Sequence, residues 1–204
     1  MTTYPKGYEW LGRLGVLPKV TEAGLAIYGT KEAPGPADNP AILYWRDELI
    51  AAGVKGLGGY THDSVAWCGL TMAYVAFRAG KPVIDNPLWA LNWAAYGMMI
   101  AHNAGTTASP RLVFEKGAQA ILGDVLVFSR PIAGGYAGHV GTYVAEDASA
   151  YHVLAGNQGD AVSISRVAKA RCVAVRRPPV KTVLPASAKP YRVAAGGTLS
   201  TNEA

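Results

Sequence analysis

Cysteine is scarce in this chain. Two residues of 204, Cys68 and Cys172, exclude a small disulfide-stapled secreted scaffold by count alone. Long apolar runs are missing too. None approaches the roughly 18 residues a bilayer span requires, so stable membrane insertion is not expected. The first fifteen residues, MTTYPKGYEWLGRLG, lack a basic stretch followed by an apolar one. They read as a start without a signal peptide, which predicts synthesis in a cytoplasm and a separate route to any site of action outside it. Strong charge of one sign is also absent. The net charge is +5, and the densest basic group, Lys169, Arg171, Arg176 and Arg177, is too small for a nucleic-acid surface.

Metal-site spacing is lacking as well. His62, His102, His139 and His152 form no H-x-x-x-H pair and there is no C-x-x-C, so neither a metal nor an organic cofactor is expected. Glycosidase chemistry needs two carboxylates facing each other across a cleft. Asp47 and Glu48 are neighbours on one predicted helix and read as a solvated face.

What remains is a chain that is half apolar, without internal repeats, and of a length that suits one domain. Helical spacing dominates the first half. Residues 1–30 carry it with a break at Pro18, and Thr21 is a candidate cap. Asn39 followed by Pro40 starts a helix that ends at Gly53. Asp63 or Ser64 caps another that runs to about Arg78, and Trp89 and Trp93, one turn apart, suggest a helix over 87–100. The second half alternates instead. DVLVF (124–128), HVGTYVA (139–145), YHVLAG (151–156), AVSIS (161–165) and RCVAVRR (171–177) are strands bounded by Gly, Asp and Ser. Helices first and strands second predict an α+β fold, N-terminal helices packed on a C-terminal antiparallel sheet. The domain is placed at 1–178, with a loose tail at 179–204.

Three segments carry chemistry. In DSVAWCGL (63–70), a cap at Asp63 or Ser64 puts Cys68 near a helix N-terminus. There the helix dipole and unpaired N–H groups favour a thiolate and a lowered pKa. Gly69 beside it leaves room for a substrate backbone. In GHVGTYV (138–144), His139 opens a strand after a glycine-rich turn and shares a face with Gly141 and Tyr143. It suits a base that takes the Cys68 proton and returns one to a leaving amine. In AGNQGD (155–160), Asn157 can orient the imidazole, with Gln158 and Asp160 as competitors. The Cys68 N–H is one oxyanion donor. Tyr60, His62, Asp63, Trp67 and Gln158 are candidates for lining a substrate cleft. Cys172 reads as core, and His152 could face either the site or the core.

In order, D-x-x-x-W-C, G-D-V-x-V-F, G-H-V-G-x-Y-V and G-N-Q-x-D-x-V resemble a phage-associated group related to the CHAP and NlpC/P60 peptidases, which are papain-like. The likeness also takes in GTKEAPG and DNPAIL near the start and RRP near residue 177, and it covers roughly residues 20–178. It implies a papain-like fold, with Cys68 as nucleophile, His139 as base and, more loosely, Asn157 as the orienting residue. The implied activity is cysteine-dependent hydrolysis of a peptidoglycan amide. The start without a signal peptide fits a monomeric endolysin released through a holin, the favoured form for so short a chain, and fits equally a lytic domain delivered by a virion or a secretion system. A papain-like acyltransferase, an amidase on another substrate, and a non-catalytic virion or wall-binding module are the alternatives.

Overall fold

The structure, a computed structural model, describes residues 4–181 and 183–201, and the chain folds as α+β. After a 3-10 turn at Glu9–Arg13 come α1 (Lys19–Ala26), α2 (Pro40–Ala51) and α3 (Cys68–Arg78). A second 3-10 turn, Ala90–Ala95, leads into the strands. These are β1 (Met98–Asn103), β2 (Leu112–Phe114), β3 (Val125–Ile132), β4 (Gly135–Glu146), β5 (Ala150–Ala155), β6 (Ser163–Ala168) and β7 (Cys172–Arg177). They form one sheet in the order β2-β1-β7-β3-β4-β5-β6, with every neighbouring pair antiparallel. No helix among the described residues is long and apolar enough to cross a membrane.

Local chemistry explains the helix starts. Asn39 caps α2, its side-chain oxygen accepting from the Ala41 N–H at 2.8 Å, and Pro40 takes the first position, where a missing N–H costs nothing. At α1, Pro18 sets the boundary, and Thr21 is buried inside the helix rather than capping it. α3 begins at Cys68, later than Asp63 or Ser64 as expected, and Trp67 precedes it without a side-chain cap. Asp63 is occupied elsewhere. Its Oδ2 accepts from the N–H groups of Ala33 and Asn39 at 2.8 and 2.7 Å, and so pins the proline-rich loop to the segment before α3.

Strand alternation divides the core. Val125 and Val127 of β3 face the helices with Val140 and Val144 of β4, whereas Leu126 and Phe128 face away with Tyr143 and Val175. On the helix side α3 packs on β4, and Trp45 stacks on Tyr74 with ring centroids 5.1 Å apart.

Two expectations need correcting. The segment 87–100 is not a helix. Trp93 is fully buried and Trp89 is 58% exposed, so the two do not share a packing face, and the chain turns at Ala90–Ala95 and enters β1. The tail is not loose either. Over residues 183–201 it has no helix or strand, but it runs back across the fold. Lys189 and Tyr191 accept through their carbonyls from the N–H groups of Leu122 and Glu146, Tyr191 packs against Trp10, and Ser187 is buried with its hydroxyl on the Val16 carbonyl.

A polar chain ties the N-terminal segment to the sheet. The Tyr8 hydroxyl donates to His152 Nδ1 at 2.6 Å, and His152 Nε2–H donates to Asp147 Oδ2 at 3.0 Å. Arg166 Nε donates to the same oxygen at 2.7 Å and holds the Asp147 carboxyl well below the usual carboxylate range. Burial lowers the His152 pKa from its ordinary 6.5, and Asp147 only partly opposes this. The folded protein therefore binds fewer protons here than the unfolded chain. This contribution to stability is complete above about pH 6.5 and is lost as the pH falls through and below that value. The midpoint of urea unfolding should drop between pH 7 and pH 5, and His152→Gln should flatten that dependence.

Candidate active site

Cys68 is the first residue of α3, where backbone N–H groups lack helical partners. The N–H groups of Val140 and Gly69 lie near its sulfur and favour the thiolate. Val140 is the residue after His139, so the sulfur lies against β4 beside the proposed base. The register frees this end of β4 from β5. β4 pairs with β5 only between Thr142 and Glu146, and nearer His139 the place of β5 is taken by the turn that follows Ala155. The thiol approaches from the helix side of the sheet. The His139 ring lies on the other face, its centroid 6.3 Å from that of Phe128. The thiol and the imidazole are thus presented at adjacent positions of β4, from its two faces, where its pairing with β5 has ended.

His139 has a defined partner. Its Nε2 is 3.2 Å from Gln158 Oε1. The Gln158 amide nitrogen donates to the carbonyls of Ser163 at 2.7 Å and Val153 at 3.1 Å. Carbonyl oxygens only accept, so these contacts fix which end of the amide faces the imidazole. An amide oxygen also only accepts. The neutral ring therefore carries its hydrogen on Nε2, and Nδ1 is the basic nitrogen.

Asn157 does not make this contact. It sits at φ +59°, a left-handed position that asparagine tolerates, with its side chain buried and without a hydrogen-bond partner among the described residues. The sequence puts Asn157 first for orienting the imidazole, with Gln158 as a competitor and a candidate for lining the cleft. The geometry gives orientation to Gln158. Asn157 bends the chain so that the next side chain returns to the sheet.

Other expected site residues are spread more widely. Trp67 is fully buried, packs near Trp45, and donates its indole N–H to Glu32 at 3.1 Å. Tyr60 is buried, His62 is exposed and pairs with Asp38 at 3.1 Å, and Asp63 anchors the 33–39 loop. Gly69 does not leave space for a substrate. A Cβ there would lie 2.4 Å from the Pro87 carbonyl oxygen and 2.5 Å from that of Leu88, so the chain's own 87–88 backbone fills the space. Gly138, beside His139, is covered by the side chains of Ala90 and Leu91.

The site is therefore closed, with Cys68 3% exposed and His139 not exposed at all. Burial pushes the Cys68 thiol up, against the fall expected from a helix N-terminus. The N–H groups of Val140, Gly69 and Cys68, with Arg130 nearby, pull it down by less than burial raises it. The resting group is a neutral thiol. Cys172 is also a free, buried thiol, on the other face of the sheet, and burial pushes it up to about 12.

No group of three His, Cys, Asp or Glu side chains among the described residues is placed to hold a metal. A cavity of about 560 Å³ lies elsewhere, between the Leu14–Val20 segment and the tail. It contains Asp124, but that carboxylate is committed to Arg177 at 2.8 and 2.9 Å. Size alone does not make this cavity a catalytic centre, because it holds no nucleophile paired with a base. Comparison with protein-family models, curated proteins and solved structures gave no match to this chain.

Proposed function

We propose that the protein is a papain-like cysteine hydrolase that cuts an amide bond of bacterial peptidoglycan. The observation that carries the reading is the His139–Gln158 pair, one residue from the amide that contacts the Cys68 sulfur at the start of α3. A helix-terminal thiol, an imidazole with its basic nitrogen selected and an amide that selects it are the parts nucleophilic acyl transfer needs. The peptidoglycan substrate rests on the ordered motifs that resemble the CHAP and NlpC/P60 peptidases.

The reaction runs in two steps. The segment Pro87–Leu91 first moves off Gly69 and Gly138 to admit the substrate. His139 Nδ1 takes the Cys68 proton as the sulfur attacks the amide carbonyl. The Cys68 N–H stabilises the oxyanion, and the proton passes to the departing amine. Water then loses a proton to His139 and attacks the thioester, which frees the acid and restores the thiol. Gln158 holds the ring through both steps.

A second reading, a non-catalytic wall or virion module, is favoured by the burial of both Cys68 and His139. Purified Gram-negative sacculi separate the two. The hydrolase reading expects wild type to release soluble fragments, whose masses name the bond, and Cys68→Ala to release none. Intact sacculi with both proteins would leave the module reading in place. A sacculus-inert protein that still cuts other amides would point to the acyltransferase or non-wall amidase alternative.

A further inference from the structure

A second pocket, about 280 Å³, opens on the helix side of the sheet. Its walls include Leu91 and Ala94 from the 3-10 turn, His102 and Asn103 from β1, and Ala174 and Arg176 from β7. Arg176 differs from its neighbour. Arg177 is committed to Asp124, while Arg176 has no hydrogen bond or ion pair among the described residues, and its Nε is buried without a partner. Burial lowers its pKa, as it does for a cation short of water and of a counter-charge. Arg176 is half-buried with only its Nε fully covered, and a guanidinium so placed without a protein partner is free to fork onto a carboxylate or another anion. None of the lining residues is acidic, and Glu115 stands 3.6 Å from His102 Nδ1.

The pocket adjoins the candidate active site. Leu91 lines it and also packs over Gly138. Ala174, in its wall, pairs with Val127, and Val127 pairs with Val140. Two strand spacings of about 4.8 Å put it roughly 10 Å from the amide that contacts Cys68. An extended peptide covers that distance in about three residues.

We propose that this pocket is a carboxylate subsite, in which Arg176 forks onto a free carboxylate of the substrate peptide, with Asn103 and His102 beside it and Leu91 and Ala94 against its aliphatic part. The proposal rests on the peptidoglycan reading, whose stem peptides carry free carboxylates a short way from their amide bonds.

The test uses full-length Cys68→Ala and calorimetric titration with the stem tripeptide L-alanyl-γ-D-glutamyl-diaminopimelate, its carboxyl-amidated form, and inorganic phosphate. The acid form should bind at least about tenfold more tightly than the amidated form, and Arg176→Gln should remove the difference. Arg176 satisfies no other group, so the variant should fold, which its unfolding midpoint checks. Equal binding of the two forms, no binding of either, or an undiminished preference in Arg176→Gln overturns the subsite. Phosphate matching the acid form overturns the assignment to a carboxylate. Cleavage by wild type that ignores Arg176 would sink the subsite alone. Arg176-dependent binding with no cleavage by wild type would sink the hydrolase reading alone.

Discussion

Replacing Gln158 should lower turnover by about a hundredfold while leaving KM nearly unchanged, within the range general acid–base contributions span. The Gln158 amide nitrogen is held by the backbone carbonyls of Ser163, Val153 and, at 3.4 Å, Ala155, so its oxygen is the group presented to His139. Gln158→Leu removes that acceptor, and the ring can then adopt the tautomer that puts its hydrogen on the wrong nitrogen. It also leaves the Val153 and Ser163 carbonyls short of a donor, so some stability is lost too. Gln158→Glu separates the effects. It keeps an acceptor on His139 but places a negative charge beside it, which stabilises imidazolium. The acid limb of the kcat/KM profile should then shift to higher pH. A residue with only a packing role would change the unfolding midpoint and leave that limb in place.

Gly156→Val should destabilise the fold by at least about 3 kcal/mol, the upper part of the usual range for overpacking. A Cβ at this position would lie 2.0 Å from Thr71 Oγ1 and 2.7 Å from the Trp67 ring. Neither can easily give way. Trp67 is fully buried against its neighbours, and the Thr71 hydroxyl donates to the Trp67 carbonyl at 2.9 Å. The glycine lets the turn after β5 sit directly on the first turns of α3, and so sets the height of Gln158 above the sheet. Gly59→Ala is the control. A Cβ there meets nothing within 4 Å, so the change should stay within about 0.5 kcal/mol. Urea unfolding at pH 7.5 reads both.

Where the sequence was informative, one local rule governed the outcome. The five C-terminal strands show as alternating Val, Tyr and Ile segments because each has two differently packed faces, and Asn39-Pro40 marks α2 because cap and first turn are local. β1 and β2 were missed for the opposite reason. MMIAHN follows two tryptophans at helical spacing, and β2 is three half-buried residues whose pairing with β1 is a tertiary fact.

The site divides along the same line. Cys68 and His139 stand out through their neighbours: a tryptophan and a glycine around the thiol, glycines around the imidazole. The choice between Asn157 and Gln158 depends on a left-handed turn, which decides which of two adjacent amides points back at the sheet. Asparagine in that turn was the available clue, since its side chain suits a bend better than glutamine's does. The direction of the Cys68 pKa was hidden as well. A helix N-terminus lowers it, and the sequence gives no sign that residues 87–91, twenty positions on, pack over the same turn.

The most direct test of the central claim, that Cys68 forms an acyl-enzyme, is partition of the products in hydroxylamine. Sacculi digested by wild type with hydroxylamine present should yield fragments ending in a hydroxamate as well as the free acid, because a thioester is open to either nucleophile, and Cys68→Ala should yield neither. Fragments ending only in the acid, released equally by Cys68→Ala, would contradict the account and assign the cut to direct attack by water elsewhere in the protein.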